Sequence, residues 1–204
     1  QREHLDEIAS FGFETLELFA TRTHFDYHDL RACEQLADWV KASGLELHSI
    51  HAPIVKSLID GQWGAPYSNA MADEAVRQLA VRETDAALNI ARRIPTRFVV
   101  VHLGTPDAQQ PPPDDNDAGA ARRSFEEIQR LAAPLGVMTA LEVIPNDISR
   151  ASALVRLLED DLDLPDTGIC MDFGHAFLHG DVVDAIEVCS GHVVTTHVHD
   201  NDGK

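Results

Sequence analysis

The stretch Phe98-Val-Val-Val-His-Leu-Gly104 decides the fold, because an apolar run without alternation ends in a histidine and a loop glycine. A strand of this kind is covered on both faces, as in a parallel sheet. Similar short runs recur along the chain, and longer segments with the apolar spacing of helices separate them. The pattern therefore predicts alternating strands and helices.

The predicted strands are Phe13 to Phe19, Leu45 to Ile50, Phe98 to His102, Val137 to Ile144, Gly168 to Phe173 and Val193 to His199. The predicted crossover helices are Leu30 to Ser43, Asn69 to Arg93, Asp117 to Leu135, Asp147 to Asp160 and Asp181 to Cys189. Because parallel crossovers are right-handed, this order leaves a doubly wound sheet or a barrel.

Local signals support these boundaries. Gly44 directly follows a predicted helix, where a left-handed residue is favoured. Ser124 and Glu127 have the spacing of a capping box, unless the helix cap lies upstream of them. The segment Pro111 to Asp117 combines prolines with like charges, so we expect an exposed loop there.

The composition is that of a soluble globular domain. With 204 residues and 44% apolar content, the chain predicts a single domain over residues 1–204. Crossing a bilayer takes about 20 consecutive apolar residues, and the apolar runs here are much shorter. Gln1 to Ile8 are charged and lack the apolar core of a secretory signal, which favours a cytoplasmic protein.

Cysteine content and net charge argue against disulfide-stabilised, zinc-thiolate and nucleic-acid-binding proteins. Cys33, Cys170 and Cys189 are widely separated, so we expect reduced, packed thiols and not disulfides or a thiolate zinc site. A net charge of −18 opposes a nucleic-acid partner, because binding to a phosphate backbone depends on lysine and arginine. A homo-oligomer is compatible with the sequence.

Residues able to bind metal follow the predicted strands at the point where each strand ends. They are His51, His102, Glu142, Asp172, His175, His197 and His199. Because the carboxyl ends of parallel strands meet at one edge, we expect these side chains to converge. Oxygen and imidazole ligands suit manganese, zinc, cobalt, magnesium or iron(II), so the sequence predicts a divalent metal of open identity.

Each residue also has a structural interpretation. His51 and His102 could serve only to hydrogen-bond a turn. Glu142 lies between Leu141 and Val143, and burying an unpaired carboxylate there would cost several kcal/mol, so it needs a cation or a buried arginine. Asp172 could cap a helix.

The last strand leaves another choice open. His197 and His199 are two residues apart and therefore face the same side of a strand. We expect one of them to be a direct ligand. The remaining histidines, by contrast, lie away from the strand ends, and we expect them to be surface or packing residues: His4, His24, His28, His48, His179 and His192.

Taken together, these strand-end motifs resemble the xylose-isomerase-like TIM-barrel superfamily, which includes sugar and sugar-phosphate isomerases and epimerases and endonuclease IV. The motifs are Gly12-Phe-Glu-Thr-Leu-Glu-Leu18, His51-Ala-Pro53, Val101-His-Leu-Gly104, Leu141-Glu-Val143, Cys170-Met-Asp-Phe-Gly-His175 and His197-Val-His-Asp-Asn201. The resemblance spans nearly the whole chain and implies an α/β fold, a (β/α)8 barrel. With about six strands visible, we expect it to be truncated, without its first and last strands.

The resemblance also implies residue roles. Glu142, Asp172 and His197 match the metal-binding glutamate, aspartate and histidine, and His175 matches a substrate-binding or second-metal histidine. His51 and His102 match further zinc ligands of endonuclease IV. The fourth ligand of the epimerases, a catalytic glutamate on the eighth strand, has no counterpart in this sequence.

The predicted function is that of a metal-dependent sugar or sugar-phosphate isomerase or epimerase. In that chemistry a carboxylate abstracts a proton next to a metal-chelated carbonyl, and Glu142 and His175 are the candidate catalytic residues. Two alternatives remain: a zinc phosphodiesterase similar to endonuclease IV, and a noncatalytic metal- or sugar-binding barrel. The expected partner is a small sugar or sugar phosphate.

Overall fold

A computed structural model describes residues 2–161, 164–180 and 182–201. Its main sheet contains six parallel strands in the order β1-β2-β5-β6-β7-β8. These strands are β1 (Thr15–Phe19), β2 (Glu46–His51), β5 (Phe98–Val101), β6 (Met138–Glu142), β7 (Thr167–Asp172) and β8 (Val193–His197). A short antiparallel hairpin, β3 (Leu58–Ile59) and β4 (Gln62–Trp63), follows β2.

Helices join the parallel strands, as the alternating pattern predicts. The α-helices are α1 (Arg2–Ser10), α2 (Leu30–Ser43), α3 (Glu74–Ala87), α4 (Ala118–Ala132), α5 (Ala151–Arg156), α6 (Phe173–His179) and α7 (Val182–Cys189). Short 3-10 turns cover Asp107–Gln109 and Ala133–Leu135, and a π-helical turn covers Leu157–Asp161. Asp181, where the last predicted helix begins, lies outside the described residues.

The sheet curls into an incomplete barrel. Its first and last strands lie at opposite ends of the strand order, yet Glu17 Oε1 of β1 lies 3.0 Å from His197 Nε2 of β8. His48 of β2 also reaches Thr195 of β8, at 3.4 Å. The fold is therefore an α/β half-barrel of six strands, in agreement with the predicted truncated (β/α)8 architecture.

Side chains from the strands form two distinct layers. Val99, Val101 and Leu141 point outward and pack in the main hydrophobic core, which includes the inner face of α4. Val100 and Ala140 point inward and pack with Cys170 and Val194. These four side chains line the barrel interior below the strand ends. Strand alternation then places the next inward residues at the carboxyl edge.

Two register shifts adjust this alternation. One lies between Leu16 and Glu17 on β1 opposite β2, and the other between Ile169 and Cys170 on β7 opposite β8. An extra residue in one strand re-aims the side chains that follow it. The extra residue opposite β1 is His48, so Leu47 and Ile50 both pack in the hydrophobic core with α2 although they are three positions apart.

The structure confirms one local prediction and corrects two others. Gly44 does end α2, with φ of 76°, but Ser124 is not a helix cap. The alternative of an upstream cap holds, since the Asp117 side chain accepts from Ala120 N. Ser124 lies buried inside α4 and accepts from Arg77 Nη1 at 3.0 Å. The loop 111–117 is not uniformly exposed, because Asp115 is buried and accepts from the Thr105 hydroxyl at 2.8 Å.

Element ends also differ from the predictions. The helix predicted from Asn69 begins at Glu74, because the Asp73 side chain caps it. Phe173 begins α6 instead of ending a strand, since Asp172 is the helix cap. Helix α1 and the β3–β4 hairpin were not predicted. Both are short, since α1 has nine residues and each hairpin strand has two, so neither is long enough to show a clear apolar period.

Candidate functional site

The strand ends bring all six predicted site residues together. His51, Glu142, Asp172 and His197 are the last residues of their strands, and His102 directly follows β5. The sixth, in the first turn of α6, is His175. The described residues therefore contain the predicted constellation as a spatial cluster at the carboxyl edge of the sheet.

Glu142 is at the centre of this cluster. Its side chain is only 2% exposed. The Nε2 atoms of His51 and His102 each lie 3.0 Å from Glu142 Oε2. The Nδ1 atoms of His197 and His175 lie 3.2 Å and 3.4 Å from Oε1. Both carboxylate oxygens thus face two imidazoles each. The buried arginine that could have paired Glu142 is not found among the described residues that contact it.

The contact between His51 and Glu142 has the chemistry of a cation site. A neutral imidazole has one N–H, and the Ala52 carbonyl lies 2.9 Å from His51 Nδ1, where it can accept that hydrogen. Nε2 then presents a lone pair to a carboxylate oxygen at 3.0 Å. Two acceptors at this distance require a proton or a cation between them. The donor set therefore fits a bound metal ion.

Asp172 both caps a helix and faces the cluster. Its Oδ1 accepts from His175 N at 2.7 Å, which is the capping interaction of α6. The same atom lies 3.0 Å from His199 Nε2. Its Oδ2 lies 3.8 Å from both His197 Nδ1 and His175 Nδ1. The capping alternative is thus observed, and it leaves the second oxygen directed at the site.

Glu17 is a site residue that the sequence did not reveal. It accepts from the Ser49 hydroxyl at 2.6 Å, and its other oxygen lies 3.0 Å from His197 Nε2. His197 therefore lies between two carboxylates, Glu17 and Glu142. Glu17 lies inside a predicted strand, whereas the sequence argument selected residues at strand ends. Its position therefore did not indicate a role in the site.

Both histidines of the last segment contact the site. His197 reaches Glu142, whereas His199 reaches Asp172 from beyond the end of β8. Gly174 makes room for the second contact, since a Cβ atom there would lie 2.2 Å from the His199 ring. The glycine of the Asp-Phe-Gly-His motif thus serves close packing.

Burial and neighbouring rings shift the pKa values in the cluster. Burial alone would raise the pKa of Glu142, but His102, His175 and His197 outweigh it and hold that pKa well below its usual value. Burial dominates at His102 and lowers its pKa. At His51, burial is outweighed by the hydrogen bond with Glu142, which raises the pKa. Glu142 is therefore the ionised centre of the cluster.

Three donor groups could hold a metal ion within the described residues, and the first two share Glu142. They are His51 with His102 and Glu142, Glu142 with Cys170 and His197, and Asp172 with His175 and His199. In each group the ligand atoms lie within 4.8 Å of one another. Cys170 is buried below the cluster, and burial raises the pKa of its thiol to about 11. The Cys170 thiol therefore stays protonated at neutral pH when no metal is bound.

A cavity of about 420 Å³ opens above the cluster. Its floor contains the carboxylates Glu142 and Asp172, and its wall includes the aromatic residues Phe19, Trp63 and Tyr67. The volume lies in the range of small-molecule sites. A larger cavity of about 620 Å³ lies at the amino ends of the strands, away from these carboxylates. No helix in the described part of the chain has the length and apolar character to span a membrane.

Comparison with known proteins relates this geometry to a family. Residues 5–204 match the xylose isomerase-like TIM barrel family. A relative in Methanocaldococcus jannaschii, described as an uncharacterized protein, is 25% identical over 211 residues, which cover 98% of this chain and 66% of the relative. The chain therefore spans slightly less than two thirds of that relative's length.

Solved structures show the same fold. A D-tagatose 3-epimerase-like protein superposes with a TM-score of 0.77 at 24% identity, covering 97% of this chain and 72% of its own. A D-psicose 3-epimerase solved with D-fructose gives 0.72 at 20% identity, covering 98% and 67%. The IolI protein with a bound zinc atom gives 0.69 at 15% identity, covering 98% and 66%. With the family match over residues 5–204, the chain belongs to the xylose isomerase-like TIM barrel family.

Proposed function

We propose that this chain carries the metal-binding part of an isomerase or epimerase acting on a sugar or sugar phosphate. The reaction would remove a proton from the carbon next to a substrate carbonyl. The observation that carries the proposal is the buried Glu142, whose two oxygens face four imidazole nitrogens at 3.0–3.4 Å. The family and its epimerase structures support the choice of sugar chemistry.

Glu142, Asp172 and His197 are the proposed ligands of a divalent ion. They end three consecutive strands of the sheet, so the backbone fixes their relative positions. When bound there, a divalent ion supplies Lewis acidity to a substrate carbonyl. The IolI protein, which has the same fold, was solved with a bound zinc atom, and this supports the proposal of a metal ion. The donor set itself also suits manganese, cobalt, magnesium and iron(II).

The proton chemistry is assigned to Glu142 and His175. Glu142 is ionised, so its carboxylate can accept a proton and return it. His175 can donate from Nδ1 to the Val143 carbonyl, 3.2 Å away. Its Nε2 atom is then left to orient a substrate oxygen in the cavity. Because the chain spans 66% of its relative's length, the activity and substrate of the whole protein are part of this proposal.

A zinc phosphodiesterase is the second candidate function. The observation in its favour is the donor group of His51, His102 and Glu142, because His51 and His102 provide ligands beyond the three proposed for one ion. The net charge of −18 opposes it, since phosphate-backbone binding depends on positive charge. A noncatalytic barrel would bind metal or sugar without turnover.

A paired assay separates these functions. The full-length protein, loaded with manganese or zinc, is offered a panel of ketoses in deuterated water and, separately, duplex DNA containing an abasic site. We expect deuterium to enter the carbon next to the ketose carbonyl, without strand incision. Incision without exchange would favour the phosphodiesterase, and metal or sugar binding without either reaction would favour the noncatalytic barrel.

A further inference from the structure

An arm of the chain borders the cavity on one side. The arm comprises residues 54–67 and contains the β3–β4 hairpin. Backbone hydrogen bonds extend the pairing on both sides of it, from Lys56 N to Ala65 O at 2.9 Å and from Tyr67 N to Ile54 O at 2.9 Å. The 54–67 arm is therefore a continuous two-stranded ribbon and not an irregular loop.

Several contacts hold the 54–67 arm in place. Asp60 and Gly61 both have positive φ, 49° and 75°, as a tight hairpin turn requires. The hydroxyl of Thr23, in the loop after β1, donates to Leu58 O at 2.9 Å and accepts from Leu58 N at 3.0 Å. Thr23 thus fixes the base of the hairpin, and the side chains at its tip have a defined direction.

Trp63 and Tyr67 are the aromatic residues that the 54–67 arm contributes to the cavity wall, and Trp63 lies in the hairpin itself. Its side chain is 57% exposed although it lies in the cavity wall. The Trp63 and Phe19 rings meet edge to face, with centroids 6.2 Å apart. Phe19 in turn lies 4.8 Å from the His51 ring, which contacts Glu142. A continuous aromatic wall therefore leads from the cavity mouth to the central carboxylate.

The polar lining of the cavity does not suit a phosphate group. Its titratable side chains, among the described residues, are the carboxylates of Glu142 and Asp172, the imidazoles and the phenol of Tyr67. Two carboxylates match the charge of a divalent ion, and no lysine or arginine is among the described residues that line the cavity. The amide at the start of α6, another common phosphate ligand, already donates to Asp172.

We propose that Trp63 is a stacking platform for the apolar face of an uncharged sugar, so that the substrate is a neutral sugar and not a sugar phosphate. The inference rests on the proposed function, since it assigns the substrate of the same site. The face of an aromatic ring is electron-rich, and the C–H groups along one face of a sugar carry partial positive charge. The hydroxyl groups on the opposite side then point to the polar floor.

Tryptophan fluorescence tests this proposal without measuring turnover. Trp39 and Trp63 are the two tryptophans of the sequence, and Trp39 lies on α2, away from the cavity. The difference between the spectra of Trp39→Phe and Trp39→Phe/Trp63→Phe therefore isolates Trp63. Metal-loaded full-length protein is titrated with neutral ketohexoses, including D-fructose, and with their phosphates, including D-fructose 6-phosphate.

We expect at least one neutral ketohexose to change the Trp63 emission saturably and to bind more tightly than its phosphate. Trp63→Ala should weaken that binding about tenfold, while metal content and melting temperature stay unchanged. Tighter binding of the phosphate would overturn the substrate class. Unchanged sugar affinity in Trp63→Ala, or no response to any sugar in the panel, would overturn the role of Trp63.

This outcome is independent of the proposed reaction. If sugars bind in a Trp63-dependent way but no deuterium enters the ketose, the isomerase proposal fails and the stacking proposal stands. If deuterium enters a ketose whose affinity Trp63→Ala does not alter, the reverse holds.

Discussion

Replacing Glu17 by alanine tests how the structure orients His197. A neutral imidazole has one N–H, and donation from His197 Nε2 to Glu17 at 3.0 Å leaves the Nδ1 lone pair facing Glu142. The Ser49 hydroxyl fixes the Glu17 carboxylate from the other side, at 2.6 Å. Without this carboxylate, the ring can rotate and can place its hydrogen on either nitrogen.

The size of the effect follows from these contacts. A hydrogen bond to a charged group contributes about 1.5–3 kcal/mol. Since Glu17 remains 29% exposed, water replaces part of that interaction, and the lower end of the range applies. Groups that orient a ligand typically change metal affinity by about 10–100-fold. We therefore expect Glu17→Ala to weaken metal binding about tenfold, or about 1.4 kcal/mol.

Competition with a chromophoric chelator measures this change, with zinc or cobalt as the ion. Glu14→Ala is the matched control, because Glu14 is exposed in the same segment and its replacement removes the same charge. The visible spectrum of bound cobalt reports ligand geometry independently. Equal affinities for the parent and Glu17→Ala, or an equal loss in Glu14→Ala, would refute the orienting role.

Three other changes test the site and its supporting loops. Glu142→Gln should keep the fold but weaken metal binding in the same titration, and unchanged affinity would remove Glu142 from the site. Chelation should lower the melting temperature by about 5–10 °C, because an ion that binds only the folded state stabilises it; an unchanged temperature and no metal by elemental analysis would contradict this. Gly104→Ala should destabilise the protein by about 2 kcal/mol or more in denaturant titration, since φ is 78° and a Cβ would lie 1.9 Å from Asn116 Oδ1. Gly136→Ala is its control, with φ of 69° and open space, and an equal loss there would contradict the steric argument.

The sequence was informative wherever one residue type had one physical explanation. Val99 to Val101 form a strand buried on both faces, as their lack of alternation predicts. The titratable residues after such strands could be placed together, because parallel strands share a carboxyl edge. Glu142 could be singled out since a lone carboxylate between Leu141 and Val143 needs a partner.

Residues whose roles depend on long-range contacts could not be found this way. Glu17 meets His197 across 180 positions of sequence, through the curl of the sheet. Trp63 belongs to a hairpin with two-residue strands, too short to give a periodic signal. Ser124 and Glu127 matched a capping box by spacing alone, whereas Arg77 of α3 contacts both.

Anomalous scattering locates a bound metal ion and identifies the residues that hold it. Crystals of the full-length protein grown with zinc or manganese would show each ion by its absorption edge. We expect an ion about 2.0–2.2 Å from Glu142, Asp172 and His197. An ion bound elsewhere, or an empty cluster in crystals that contain the metal, would contradict it.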